Sequence, residues 1–487
     1  MTYDVIVIGC GMSGILAGIH LKNNQKKFLI LEKAETLGGT WRDNKYPGLT
    51  CDVPSHAYTY SFEPNPEWSR VLPPGSEIQS YFENVFEKYA LQDYVRFHTE
   101  ITQAHWDGAH WQLQDQRGDT YQARVVIAAT GVLHHPHYAS IKGLEDFAGT
   151  VLHSARWDDA VPLAGQKIGV IGIGSTGVQI VSALAATSHV RHFQRTAQWI
   201  FPVENPHFTP EQRAEFRSNR DLLLYLQREP TYLANVERFT QGVLDPKSEQ
   251  IQEIQKICQD NLDRSIADPE LRRQLQPDYL AGCKRLIYSP DYYQAIQQPN
   301  SQLITQGIVQ VEAGGIRTED GALHPLDVIV LATGFKTDRH VRPMEVVGLQ
   351  GQTLEQAWSD VPTAYKSISV PNFPNFYFMN GPTSPVGNFS LIDTAEMQWG
   401  YIAQLIERVA DGQVAGIAAC PQALQRYNDA RRTAAKQSVF GSGCASWYLD
   451  KNGVPNTWPW SQSRFREEMQ APVWEDYVLH QREGAVA

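Results

Sequence analysis

No apolar stretch in this chain approaches the roughly 18 residues that a membrane-spanning helix needs. The six cysteines, Cys10, Cys51, Cys258, Cys283, Cys420 and Cys444, are scattered and never fall in C-x-x-C spacing. That argues against a zinc site or a disulfide frame, and they read as reduced thiols. Basic residues are in deficit, with 42 Lys plus Arg against 53 Asp plus Glu and a formal charge of −11. Nucleic acid and anionic membrane are thereby disfavoured as main partners. Residues 1–9 lack a basic leader and a small-residue cleavage site, so their short apolar run reads as a strand and the expected location is cytoplasmic. What the chain does have is ordinary globular composition, 42% hydrophobic and 20% charged over 487 residues. This length predicts two to four domains with a core large enough to stand without staples.

A β-branched run at residues 5–8 leads into Gly9-Cys10-Gly11-Met12-Ser13-Gly14 and then a helix-like segment. In strand, G-x-G-x-x-G, helix, the first glycine permits the tight turn and the second lets backbone approach a pyrophosphate. The third (Gly14) lets helix and strand pack closely. A second run at residues 28–31 ends at Glu32, an acid placed to bind ribose hydroxyls. The pattern recurs at residues 168–171 followed by Gly172, Gly174 and Gly177. Glu32 stands 23 positions after Gly9, and the same 23 positions from Gly172 reach Arg195. An acid repels a 2′-phosphate and an arginine pairs with it, so the first site suits FAD or NAD and the second NADP.

Two further runs, residues 125–131 and 328–334, end in Ala-Thr-Gly. Their small residues suit a chain that passes close to another backbone. Residues 209–282 differ from the rest, being rich in Glu, Gln, Arg and Leu. Thr209-Pro210-Glu211-Gln212 reads as a capping box with proline at the first helical position, and Asp268-Pro269-Glu270 as a second helix start. Ile251, Ile254, Cys258 and Leu262 recur at helical spacing and predict a packing face. The fold class is therefore α/β, with two Rossmann-like dinucleotide-binding domains and a helical insertion. His134, His135 and His137 surround Pro136 and read as a solvated turn; no metal is expected.

Residues 147–158 match F-x-G-x-x-x-H-x-x-x-W-(P/D) through Phe147, Gly149, His153, Trp157 and Asp158. Gly38, Gly39, Thr40 and Trp41, followed by Tyr46-Pro47-Gly48 and Asp52, match a second pattern, (A/G)-G-x-W-x-x-x-x-(F/Y)-P-(G/M)-x-x-x-D. In both, the chain resembles type I Baeyer–Villiger monooxygenases, flavoproteins of the flavin-containing monooxygenase superfamily; Asp158 takes the less usual option of the first pattern. Flavin-containing N- and S-monooxygenases share both Rossmann units but typically lack the tryptophan at the Trp157 position. Disulfide reductases share the two-domain plan but need a redox cysteine pair, and C-x-x-x-x-C spacing is absent here.

The resemblance implies an NADPH-dependent monooxygenase carrying FAD, with a ketone (or sulfide) and O2 as its small-molecule partners. NADPH reduces the flavin, which then activates O2. The activated oxygen must stay anionic to attack a carbonyl, and oxygen insertion yields an ester or lactone. By resemblance Arg285 supplies the permanent cation and Asp52 positions it. Lys284, Arg195 and Thr196 resemble the 2′-phosphate cluster, and Trp447 resembles a late tryptophan that closes over the nicotinamide. His153 and Trp157 take linker roles, coupling and anchoring the domains. The implied division is an FAD-binding part at 1–145, a linker at 146–158, an NADP-binding part at 159–208, the helical insertion at 209–282, a second NADP-binding part at 283–335, and a second FAD-binding part with the C-terminal segment at 336–487. N- or S-oxygenation and a redox-sensing flavoprotein are the competing expectations.

Overall fold

The computed structural model describes residues 1–385, 389–412 and 414–481. Its largest sheet has eight strands and is centred on Thr120–Ala128. One edge of that strand pairs in parallel with Thr2–Ile8, which in turn pairs with Phe28–Leu31. Its other edge is shared: Trp111–Asp115 covers the first half antiparallel and Phe376–Phe378 covers the second half in parallel. Residues 5–8 of the first strand and all of Phe28–Leu31 are apolar and buried, as parallel strands covered on both faces must be.

A second sheet has five strands, all parallel, in the order Ser301–Ile304, His189–Phe193, Lys167–Ile171, Val328–Leu331, Thr150–His153. The helices Met12–Asn23 and Ser175–Leu184 follow directly on the two glycine loops. Both expected nucleotide units are thus strand, loop and helix in fact.

Five helices run from Pro210–Ser218 to Pro269–Leu275. Thr209 forms its capping box with Gln212, and Asp268 caps the last of the five. Ile251, Ile254, Cys258 and Leu262 form the buried stripe of Glu249–Ser265. Ile251, Ile254 and Cys258 join a core with Val243, Cys283, Phe440 and Tyr448, so this helical segment packs on the C-terminal part of the chain, while Leu262 joins the core of the five-stranded sheet.

One expectation fails here. Cys283 and Cys444 are joined in a disulfide, 161 positions apart, and only Cys10, Cys51, Cys258 and Cys420 are free. Spacing rules detect cysteines that are near in sequence; this pair is made by the packing of two remote segments. Among the described residues, no helix is long and apolar enough to cross a membrane.

Candidate active site

The two glycine loops are built alike. A Cβ on Gly9 would sit 2.6 Å from the Ala129 carbonyl oxygen, and one on Gly172 would sit 2.3 Å from that of Ala332. Both glycines also have positive φ, 103° and 115°. A Cβ on Gly14 would stand 1.9 Å from the Gly9 carbonyl oxygen, and Gly177 meets Gly172 in the same way. The middle glycines are different. Gly174 faces open space, and a Cβ on Gly11 would come no closer than 3.6 Å to anything. Outer glycines are therefore dictated by backbone contact, and middle ones leave room at a helix N-terminus, where an anion is favoured. Ala129 and Ala332 belong to the two Ala-Thr-Gly runs, which are the close crossings expected of them.

A continuous cavity of about 1510 Å³ connects the loops. Of the anticipated site residues, Gly9, Gly11, Glu32, Gly39, Thr40, Trp41, Asp52, Gly172, Gly174, Arg195, Thr196, Lys284, Arg285 and Trp447 line it. Gly14, Gly177, His153 and Trp157 do not.

Glu32 is buried, and its two carboxylate oxygens accept from the backbone N–H groups of Cys10 and Ala34 at 2.8 and 2.9 Å. Arg42 adds a longer contact at 3.3 Å. The acid is thereby held rigidly against the first loop. On the opposite side, Lys284 lies 4.5 Å above the Tyr279 ring. Burial lowers its pKa, Asp278 pushes back, and the charge of Arg195 lowers it further. Two cations that repel each other across a cavity wall favour an anion between them.

Between these ends, Arg285 donates from Nη2 to Asp52 Oδ2 at 2.5 Å. Burial alone would lower the arginine pKa, but Asp52 and then Tyr448 outweigh it and raise it. The guanidinium is therefore a permanent charge, about a third exposed to the cavity. The neighbouring Cys51 thiol is pushed well up by burial and then by Asp52, which leaves it neutral and no nucleophile.

The motif around Tyr46 ties the two units. Tyr46 donates to Gln179 Oε1 at 3.0 Å, and Gln179 donates to the Thr50 carbonyl at 3.0 Å. Gly48, at φ 80°, lies so close to the Gln179 carbonyl oxygen that a Cβ would approach it to 2.5 Å. Gln179 had no sequence signal, since its partners are about 130 positions away.

His153 ends the edge strand Thr150–His153 and is buried. Its Nδ1 accepts from the Ala155 N–H at 3.1 Å, which puts the ring proton on Nε2, facing the His137 carbonyl at 3.4 Å. Burial depresses its pKa, so the ring is neutral. Trp157 is half-buried against the core of the second sheet. Trp447 is 42% exposed and stacks on Tyr448 with 4.3 Å between ring centroids, which places it at the cavity rather than in the core.

His134 and His135 depart from the solvated turn expected of them. They are half-buried, line the cavity, and contact the carbonyls of His340 and Arg342 through Nε2 at 3.0 and 2.9 Å. The partner segment lies over 200 positions away, so local composition could not reveal it. Among the described residues, no cluster of His, Cys, Asp and Glu is arranged to hold a metal.

The family model described as pyridine nucleotide-disulphide oxidoreductase matches residues 6–221. The chain is 43% identical to an uncharacterised monooxygenase of Mycobacterium tuberculosis, over 98% of this chain and 96% of that protein. It is 36% identical to a Baeyer–Villiger monooxygenase of Streptomyces coelicolor, over 95% of this chain and 90% of that protein. Its structure is similar to cyclohexanone monooxygenase from Rhodococcus sp. Phi1 bound to NADP+, with a TM-score of 0.86, 28% identity, and coverage of 99% of this chain and 100% of the other. With two glycine loops on one cavity and a cation held between them, the chain belongs to the type I Baeyer–Villiger monooxygenase family.

Proposed function

We propose that the chain binds FAD at the Gly9 loop and NADPH at the Gly172 loop, and inserts one atom of O2 beside a ketone carbonyl. In balance, ketone, O2, NADPH and a proton give ester or lactone, NADP+ and water. Sulfides would be oxidised in the same site. The residues present fit both cofactors: Gly11 and Gly174 leave space for phosphates, Glu32 serves a ribose, and the Arg195–Lys284 neighbourhood serves a 2′-phosphate. The division into residues 1–145, 146–158, 159–208, 209–282, 283–335 and 336–487 and the cytoplasmic location belong to the same proposal.

When bound, reduced FAD supplies the activation of O2. The chain supplies the rest. Arg285 keeps a positive charge where negative charge gathers on oxygen and on the former carbonyl, and Asp52 fixes the direction of its donors. Met12, Val53, Phe389 and Leu391 give the cavity apolar wall, which excludes water and admits an apolar ketone. His153 stays neutral and couples the edge strand to residues 137 and 333 rather than moving a proton.

The observation that carries the reading is the Arg285–Asp52 pair within the cavity that joins the two loops. The test offers the FAD-loaded enzyme a cyclic ketone, an aryl ketone and a thioether, each with NADPH and isotopically heavy O2, and analyses products by mass spectrometry. Ester or lactone carrying one heavy oxygen atom is expected. Thioether oxidation with every ketone left intact would assign the chain to heteroatom oxygenation instead.

A further inference from the structure

Cys283 immediately precedes Lys284 and Arg285, and Cys444 lies three positions before Trp447. The disulfide therefore joins the segment that carries the central cation to the segment that carries the cavity-lining tryptophan. Residues 441–447 are all exposed or half-exposed except Cys444, and the next residue, Tyr448, is buried. Beyond the short-range bonds of Gly441 and Ser442 to Ser438 and Val439, this stretch is pinned at two points. One is the bond to Cys283. The other is Tyr448, which is buried and whose ring packs on Phe440 at 4.7 Å. Cys283 has no exposure and Cys444 has 8%, so Cys444 is the less deeply buried of the two.

We propose that Cys283 and Cys444 form a reversible fastening, closed by a peroxide and opened by a dithiol, that holds Trp447 and Tyr448 against the Arg285 segment. In closing, the two thiols lose two protons and two electrons and an S–S bond forms. The O–O bond of hydrogen peroxide breaks and two waters leave. In opening, a dithiol supplies the two electrons and becomes a disulfide itself. Hydrogen peroxide is also what a flavin monooxygenase releases when oxygen activation is not followed by transfer. The fastening therefore tightens the site in response to its own leakage. This inference rests on the NADP reading of the second site.

The expected size follows from chain entropy. Trp447 is three positions from Cys444 but seven from Phe440, the next buried anchor upstream. Opening the bond roughly doubles the tether, which lowers the population of the closed segment about threefold.

The experiment uses the FAD-loaded enzyme after hydrogen peroxide or after a dithiol that is then removed. Unfolded without reductant, the first sample should show the four free thiols and the second all six. The dithiol-treated enzyme should bind NADP+ about threefold more weakly and be cut faster by protease within residues 441–447. Cys444→Ser should behave like the dithiol-treated enzyme and ignore further dithiol. Six thiols after peroxide would overturn the proposal. So would four thiols with NADP+ affinity and cleavage unchanged by reduction. These readouts need no ketone, so an enzyme that makes no ester yet responds in this way would count against oxygen insertion alone.

Discussion

Arg285 donates to Asp52 over 2.5 Å although the two residues stand 233 positions apart. Asp52 follows the first glycine unit, and Arg285 follows the helical insertion that interrupts the second. Neither element can shift without the other losing its partner. Removing either residue leaves the other without the contact that orients it.

Arg285→Ala is expected to keep oxidising NADPH, to release hydrogen peroxide, and to lose ester formation by about a hundred- to a thousandfold. Arg285→Lys should recover part of it, being a point charge without the planar fork. Asp52→Ala should also be defective, and the double variant little worse than Arg285→Ala, because both act through one charge. Oxygen uptake, peroxide release and ester yield on one ketone measure this. Ester formation near the wild-type rate in Arg285→Ala would remove the proposed mechanism.

Arg195→Ala should raise the KM for NADPH roughly ten- to hundredfold, the worth of one charge-assisted contact to phosphate. The KM for NADH should barely change. Equal losses with both coenzymes would show that Arg195 serves something other than the 2′-phosphate.

The two kinds of glycine should separate experimentally. In Gly177→Ala the new Cβ would stand 1.9 Å from a backbone oxygen that cannot yield cheaply, so a drop in Tm equivalent to several kcal/mol is expected. Gly174→Ala meets nothing within 4 Å and sits at φ −75°, which alanine adopts freely. Its Tm should stay near that of the wild type while its KM for NADPH rises. A loss of stability in Gly174→Ala would mean that the space beside it is structural rather than reserved for a ligand.

His192 makes stability depend on pH. It is fully buried, donating from Nε2 to the Gly172 carbonyl at 2.9 Å and accepting from the Tyr292 hydroxyl through Nδ1 at 3.0 Å. Burial pulls its pKa from 6.5 to about 4. The depressed value means that the unfolded chain takes up the proton first. The contribution is thus intact above pH 6.5 and is lost as pH falls towards about 4, on the order of 3 kcal/mol in all. Urea unfolding of the wild type and His192→Gln across this window should give a shallower slope for the variant, by about 1 kcal/mol per pH unit. Parallel slopes would place the acid sensitivity elsewhere.

The parts of the site that local chemistry dictates are legible in the sequence itself. Gly9, Gly14, Gly172 and Gly177 are where they are because a Cβ collides with backbone within the same unit or with its Ala-Thr-Gly neighbour. The caps at Thr209 and Asp268 need only the next three residues. The Cys283–Cys444 bond, the Gln179 link to Thr50 and the seat of His134 and His135 were not readable in this way. Each depends on how remote segments pack, and no periodicity or spacing encodes that. Trp447 lies between these cases: a motif suggested its role, but only its exposure told it from a core residue.

The two sheets are not finished in the order in which they begin. The five-stranded sheet is complete once Val328–Leu331 has been synthesised, whereas the strand centred in the larger sheet waits for Phe376–Phe378 to cover its second half. On the ribosome the inner unit can therefore close while the outer one, begun at Thr2, still shows an open edge at residues 126–128. A nascent chain whose residues up to 335 have emerged from the ribosome should hold a folded inner sheet beside an unfinished outer one. During that interval the outer sheet is the part exposed to mispairing and to chaperones.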